Sequence, residues 1–247
     1  MLEIRNLRFA WPGSREDALS LAGFTFAAGQ RVFLHGPSGC GKSTLLALLA
    51  GVMVARQGIV SLLGQDWARL PAAARDARRA DHVGVIFQQF NLLPYLSVLD
   101  NVLLPCRFSA RRASRCEGGP RAAGQALLAQ MALPEALWAR KARALSVGQQ
   151  QRVAAARALI GAPELVLADE PTSALDAALR DHFMALLLGQ CRAGGSTLVF
   201  VSHDERLAAD FDERLDLPAL NLAIAPQRHA AEHDRRSDGG HGPAHSA

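Results

Sequence analysis

Gly36-Pro37-Ser38-Gly39-Cys40-Gly41-Lys42-Ser43-Thr44 lies between two apolar runs, Arg31 to His35 before it and Lys42 to Ala50 overlapping its end. The stretch fits G-x-x-x-x-G-K-[ST], a loop whose backbone N–H groups surround phosphate oxygens. The run before it reads as a strand; the run after it reads as a helix ended by Gly51. Strand, glycine loop and helix, in that order, are the context that gives the motif meaning. Gly36, Gly39 and Gly41 let the loop curl and approach a ligand closely. The helix N-terminus adds a dipole that favours an anion. Lys42 is placed to reach terminal phosphates, and Ser43 to hold Mg²⁺ through its hydroxyl. Lysine occurs only at Lys42 and Lys141, so its presence in the loop is no by-product of composition.

A second apolar run, Leu165 to Ala168, ends in Asp169-Glu170. Residues just past a buried strand enter the crevice at the carboxyl edge of a parallel sheet. There Asp169 suits the Mg²⁺ shell, and Glu170 suits orienting or deprotonating a water. An acidic pair at a strand end is also a common solvated turn; the phosphate loop elsewhere in the chain favours the first reading.

The runs Leu2 to Phe9, Leu19 to Phe26, Gly58 to Leu63, Val83 to Phe87 and Ser196 to Val201 read as further strands. Pro71 to Arg79, Gln149 to Ile160 and Asp176 to Leu188 read as helices. Short apolar strands alternating with helices imply an α/β fold with a parallel sheet covered on both faces. From about 91 to 151 no strand is expected. Ser97 caps a helix to Leu104, Arg107 to Pro120 reads as an exposed loop, and Arg121 to Met131 as a helix. This segment reads as a helical lobe inserted into the core. Residues 1–224 are then one globular unit, and the His-rich residues 225–247 a disordered tail. The tail histidines His229, His233, His241 and His245 lack metal-ligand spacing.

With 247 residues, 49% hydrophobic and 20% charged, the chain is long enough for a full core. No apolar run approaches the roughly 20 residues that span a bilayer, and the N-terminus lacks a signal-peptide pattern. A cytoplasmic location follows as an expectation, with any membrane part supplied by another chain. Cys40, Cys106, Cys116 and Cys191 show no paired spacing and read as free thiols. The net charge of +4 comes without an aromatic–basic patch, so no nucleic-acid partner is expected.

With these motifs in place the chain resembles the ATP-binding-cassette (ABC) ATPases, from Leu2 to about Leu217. Leu145-Ser146-Val147-Gly148-Gln149 is similar to that family's LSGGQ signature, with valine at the first glycine. Gln88 matches the glutamine between core and helical lobe, Ser173-Ala174-Leu175-Asp176 the D-loop, and His203 the switch histidine. Trp11 sits where the family places an aromatic that stacks on adenine. The wording around Phe87-Gln88-Gln89-Phe90 and Val98-Leu99-Asp100-Asn101-Val102 is most similar to the lipoprotein-release and macrolide-efflux type.

The resemblance implies a P-loop NTPase core with an N-terminal antiparallel β subdomain and an inserted helical lobe. It implies ATP and Mg²⁺, hydrolysis through Lys42, Gln88, Glu170 and His203, and metal contacts from Ser43, Gln88 and Asp169. It also implies a composite site. The loop of one copy, Gly36 to Thr44, faces Ser146, Gly148 and Gln149 of a second, and the pair drives an integral-membrane permease from the inner face of the cell membrane. Other readings stand beside this one. Trp11 also reads as a core aromatic, His203 as a surface histidine capping a helix and Gln88 as a polar strand end, and the family role is favoured over each. If position 147 needs a positive φ or the close approach of an opposing phosphate, valine there is strained or misplaced; if its φ is negative, valine is tolerated. At the level of function, an envelope regulator without cargo and a binding module with slow hydrolysis are the alternatives to a transporter subunit.

Overall fold

Every residue of the run Thr197–Val201 is buried, the pattern of a strand covered on both faces. It belongs to a computed structural model that describes residues 1–173 and 175–223. Chain order begins β1 (Leu2–Phe9), β2 (Leu19–Phe26), β3 (Arg31–His35), α1 (Lys42–Leu49), β4 (Gln57–Leu62), β5 (Gln65–Asp66), α2 (Ala72–His82) and β6 (Val83–Ile86). It continues α3 (Val98–Phe108), α4 (Ala110–Ser114), α5 (Pro120–Gln130), α6 (Val147–Leu159), β7 (Leu165–Asp169), α7 (Ala177–Gly194), β8 (Thr197–Val201), β9 (Glu213–Asp216) and α8 (Leu217–Leu220).

A parallel sheet runs in the order β6-β7-β8-β3-β9. Its strands send alternate residues to two separate cores. Phe33, Val166, Ala168, Leu198 and Phe200 meet side chains of α3, α5, α6 and α7. Val32, Leu34, Leu165, Leu167 and Val199 meet α1 and the second sheet. Each such side chain contributes about 1.5–3 kcal/mol when fully buried, which is why these strands read as unbroken apolar runs.

The second sheet is antiparallel, in the order β2-β1-β4-β5. In β1 the buried residues are Leu2, Ile4, Leu7 and Phe9, so the alternation slips between Ile4 and Leu7. The register against β4 shifts there, and Asn6 takes φ 47°. The bulge brings the Asn6 carbonyl against Gly58, where a Cβ would stand 2.2 Å from it. Only glycine fits that approach. The α/β architecture with one parallel and one antiparallel sheet is as the sequence implied.

Four local readings need correction. Helix α6 begins at Val147 rather than Gln149, and α7 runs on to Gly194 instead of ending at Leu188. Strand β9 escaped the apolar pattern because its residues, Glu213 to Asp216, are half-exposed or exposed on a sheet edge. Charged residues suit an edge because they discourage further pairing. The segment from Arg107 to Pro120 is no exposed loop: α3 continues through Pro105 to Phe108 and α4 follows. The expectation for 225–247 lies outside the described residues.

Arg112 explains the last correction. Its side chain is buried, at 2% exposure. Nε donates to the Ile160 carbonyl at 2.7 Å and Nη2 to the Ala158 carbonyl at 2.6 Å, with a longer contact to Val83. These are the orphan carbonyls at the end of α6. Burial pulls the Arg112 guanidinium down to about 10, so it stays cationic at pH 7. Beside it the Cys106 and Cys116 thiols are free and 3.7 Å apart, and burial pushes Cys106 up to about 12.

Glu164 ties the same region together. It accepts from His82 Nδ1 at 2.8 Å and Arg115 Nη1 at 2.6 Å, and it also pairs with Arg111. Burial alone would push its carboxyl up; the bonds from His82, Arg111 and Arg115 outweigh that and hold it at about 2.

Two expectations follow. Arg112→Ala should lower unfolding stability in urea by about 2–4 kcal/mol, because it strands buried carbonyls. A folded-state pKa below the ordinary 4.5 means that Glu164 stabilises above pH 4.5 and loses that contribution as pH falls toward 2. Glu164→Gln should therefore flatten the acid limb of the urea midpoint between those pH values, and leave the two proteins alike near pH 2.

Candidate nucleotide site

Four strands of the parallel sheet end at one edge, and each delivers part of a site. The glycine loop leaves β3, Asp169-Glu170 closes β7, His203 follows β8 and Gln88 follows β6. Gly41 caps α1 with φ 102°, and a Cβ there would sit 2.7 Å from Leu19 Cδ2. Glycine is required on both counts. No side chain caps α1, so the N–H groups of its first turn face the loop unclaimed by side chains.

Lys42 is buried under the loop. Its Nζ donates to the Gly36 carbonyl at 2.7 Å and to the Pro37 carbonyl at 3.0 Å. Ser43 Oγ donates to Asp169 Oδ2 at 2.8 Å. Burial pushes the Asp169 carboxyl up, against the pull of the Ser43 hydroxyl and the Lys42 charge. Glu170 stands between Lys42 and His203: Oε1 lies 3.7 Å from Lys42 Nζ and Oε2 3.3 Å from His203 Nδ1. Its backbone is unusual, with φ 43° and its N–H donating to the Val201 carbonyl at 3.0 Å. A non-glycine residue in that region is strained by about 1–3 kcal/mol and concentrates at functional sites.

A cavity of about 290 Å³ gathers Lys42, Ser43, Gln88, Asp169, Glu170 and the loop residues Ser38, Gly39, Gly41 and Thr44. His203 lines the adjoining cavity and shares Glu170 with it. Cys40 turns inward and is buried, so that residue offers the loop its backbone rather than its thiol. Trp11 is 45% exposed and packs edge-on against Phe9 at 5.4 Å; it is not among the residues lining the cavity.

Ser146, Gly148 and Gln149 are not brought to that cavity either. They start α6. Ser146 Oγ accepts from Gln149 N at 3.4 Å and Gln149 Oε1 accepts from Ser146 N at 3.0 Å, a reciprocal capping box. Val147 is the first helical residue, has no positive φ and is 48% exposed. The valine is therefore unstrained in its backbone, which removes the strain reading of that position. Gly148 also lacks a positive φ, and a Cβ there would meet only Leu175 at an ordinary 3.7 Å. Nothing among the described residues requires glycine at 148.

One feature had no signal in the sequence. An apolar groove of about 630 Å³ runs from Ser43 and Asp169 to the exposed rings of Phe87 and Phe108. Arg157 lines it and donates to the carbonyls of Phe90 and Asn91, each at 2.6 Å. Burial lowers its pKa. An arginine on an alanine-rich helix carries no mark of such a role; only the packed structure shows which carbonyls it reaches.

A phosphate cradle on β3 with an acidic pair on β7 defines a P-loop ATPase core. A family profile described as ABC transporter matches residues 19–173, and the chain belongs to that family as one of its ATP-binding subunits. It is 44% identical over 189 residues to the uncharacterized ABC transporter ATP-binding protein YbbA of Escherichia coli K12, covering 76% of this chain and 81% of YbbA. It is 42% identical over 202 residues to the lipoprotein-releasing system ATP-binding protein LolD 2 of Rhodospirillum rubrum, covering 81% and 85%. The lipoprotein-release wording of its motifs agrees with that match. Among solved structures it resembles the dimeric bacterial ABC transporter cassette MJ0796 with a TM-score of 0.78 and 35% identity, over 88% of this chain and 95% of that one. The same cassette has been solved in a post-hydrolysis state bound to ADP and Pi, with a TM-score of 0.77.

Because Val147 is a relaxed helical residue, Val147→Gly should cost less than about 1 kcal/mol of stability. Its ATP hydrolysis rate should stay level or rise; a clear drop would show that the valine belongs to a locally adapted site.

Proposed function

We propose that this chain binds ATP at the Gly36–Thr44 loop, closes head to tail on a second copy, hydrolyses the ATP and passes the motion to a membrane permease. The observation that carries this reading is the separation of the two half-sites. Ser146, Gly148 and Gln149 present a capped helix N-terminus away from the phosphate cavity of their own chain. A glycine with no internal reason, at the start of a helix that favours anions, suits the phosphate of another copy. The MJ0796 cassette, similar over most of the chain, is a dimer.

Within the site Lys42 is the charge for the terminal phosphates, once it exchanges its two carbonyl partners for them. Ser43, Asp169 and, at longer reach, Gln88 are hard oxygen donors of the kind Mg²⁺ takes. The buried, upward-shifted Asp169 carboxyl is the group that such a cation would stabilise. Bound there, Mg²⁺ would neutralise charge on the phosphate oxygens. Glu170 accepts a proton from the attacking water as its oxygen bonds to the γ-phosphorus and the bond to the β–γ bridging oxygen breaks. His203, against Glu170 Oε2, orients that carboxylate and reaches toward the γ-phosphate. Trp11, exposed beyond the end of β1, is offered as the adenine platform.

The groove between Phe87 and Phe108 is the permease dock. It is apolar, and it is continuous with Ser43 and Asp169, so a segment held there touches the catalytic edge of the sheet. No helix among the described residues is long and apolar enough to cross a membrane. The chain would work as a peripheral subunit on the cytoplasmic face, its cargo of the lipoprotein-release or efflux type.

Glu170→Gln should bind ATP, hydrolyse it at least about a hundredfold more slowly and accumulate as a dimer in light scattering with excess Mg-ATP. A variant that stays monomeric would overturn the composite site. Copurification of the tagged chain from gently solubilised membranes tests the partner. A permease supports the reading, and an envelope enzyme without one overturns the transport role.

A further inference from the structure

Gln151 lies on α6 just past the capping box and is fully buried, at 0% exposure. Neither its amide nitrogen nor its amide oxygen has a hydrogen-bond partner among the described residues. A buried amide without a partner is destabilising, and native proteins hold few of them. An apolar side chain of similar length would suit this arrangement better.

The surroundings say where partners would come from. A cavity of about 10 Å³ is lined by Gln151 and Gly148 together with Leu175, Leu179, His182 and Phe183. Leu175 belongs to the turn that follows Glu170. That turn is tied back by Ser173 N donating to the Glu170 carbonyl at 3.3 Å and Leu175 N to the Thr172 carbonyl at 3.2 Å. Arg152, also at the cavity, is already engaged with the carbonyls of Gly148 and Ala132. Leu175 lines the same cavity as Gln151 and lies in the segment that follows the strained Glu170.

We propose that Gln151 is a positioning residue for hydrolysis. When ATP draws the signature end of α6 against its phosphate, the amide bonds the backbone of the turn at Leu175 and holds Glu170 in its working position. This role rests on the reading of the chain as an ATPase that closes on ATP. The amide is kept unpaired in one arrangement so that the other gains two hydrogen bonds. Stability and turnover then pull in opposite directions at this position, which a purely structural glutamine would not produce.

The test is Gln151→Met, which keeps length and helix preference and removes the amide, with Gln151→Leu as a second variant. The melting temperature should rise by about 2–4 °C, while kcat for ATP falls on the order of tenfold with KM unchanged. An unchanged or lower melting temperature in both variants would overturn the proposal, because the amide would then be satisfied in the folded chain, for example by one water in the cavity. A raised melting temperature with unchanged kcat would overturn it too, leaving a packing defect with no catalytic role. Wild-type turnover in the same assay separates the two readings. If wild type and Gln151→Met hydrolyse ATP equally, the positioning role alone falls. If wild type does not hydrolyse ATP, the ATPase reading falls and takes this role with it.

Discussion

A parallel sheet has to be buried on both faces, because the helices that connect its strands pack against it from each side. That constraint organises this protein. Strands β6, β7, β8 and β3 are short and largely apolar, so their reactive residues sit at the ends, while the edge strand β9 is charged along its length. With all the strands parallel, those ends share one edge. The phosphate loop, Asp169-Glu170, Gln88 and His203 come from positions as far apart as 36 and 203 and still meet there. Chemistry collects at the edge because the sheet leaves polar groups nowhere else to go.

The helical segment between β6 and β7 is held to that sheet by arginines, some bonding backbone carbonyls and two, Arg111 and Arg115, pairing with the Glu164 carboxylate. Arg112 takes the carbonyls at the end of α6, and Arg157 those of Phe90 and Asn91, just after Gln88. A guanidinium suits this work because its planar fork satisfies several carbonyls at once and keeps its charge when buried. The groove between Phe108 and the stretch that carries Gln88 opens onto Ser43 and Asp169. The phosphate cavity and the apolar groove both reach Ser43 and Asp169.

Strain is placed where the reaction needs it. Glu170 holds a left-handed backbone, and Lys42 and His203 share its carboxylate. Asp169 is buried beyond what one hydroxyl and one distant ammonium relieve. By contrast the signature turn, where valine departs from the family wording, is relaxed. Ser146 and Gln149 cap each other, and Val147 is an ordinary first helical residue. The site is thus primed on the phosphate side and quiet on the side offered to a partner.

The α/β class, the phosphate loop, the acidic pair and the order of the motifs were all legible in the sequence. Each is written in local terms: apolar runs of strand length, glycines at fixed spacing, a lysine where lysines are rare. The reading failed where partners are distant. Arg107 to Pro120 looked like a loop because arginine, serine and glycine are surface residues until a buried carbonyl claims one of them, as Ile160 claims Arg112. Strand β9 was missed because an edge strand needs no apolar run. Whether position 147 demanded glycine could not be read from residue types, since φ is set by the helix the residue joins. Local chemistry, carried by neighbours along the chain, was determined by the sequence alone. The φ at Glu170 and Val147, the arginine clamps and the separation of the signature from its own phosphate cavity were decided by the tertiary structure, because each depends on which distant backbone group comes within reach.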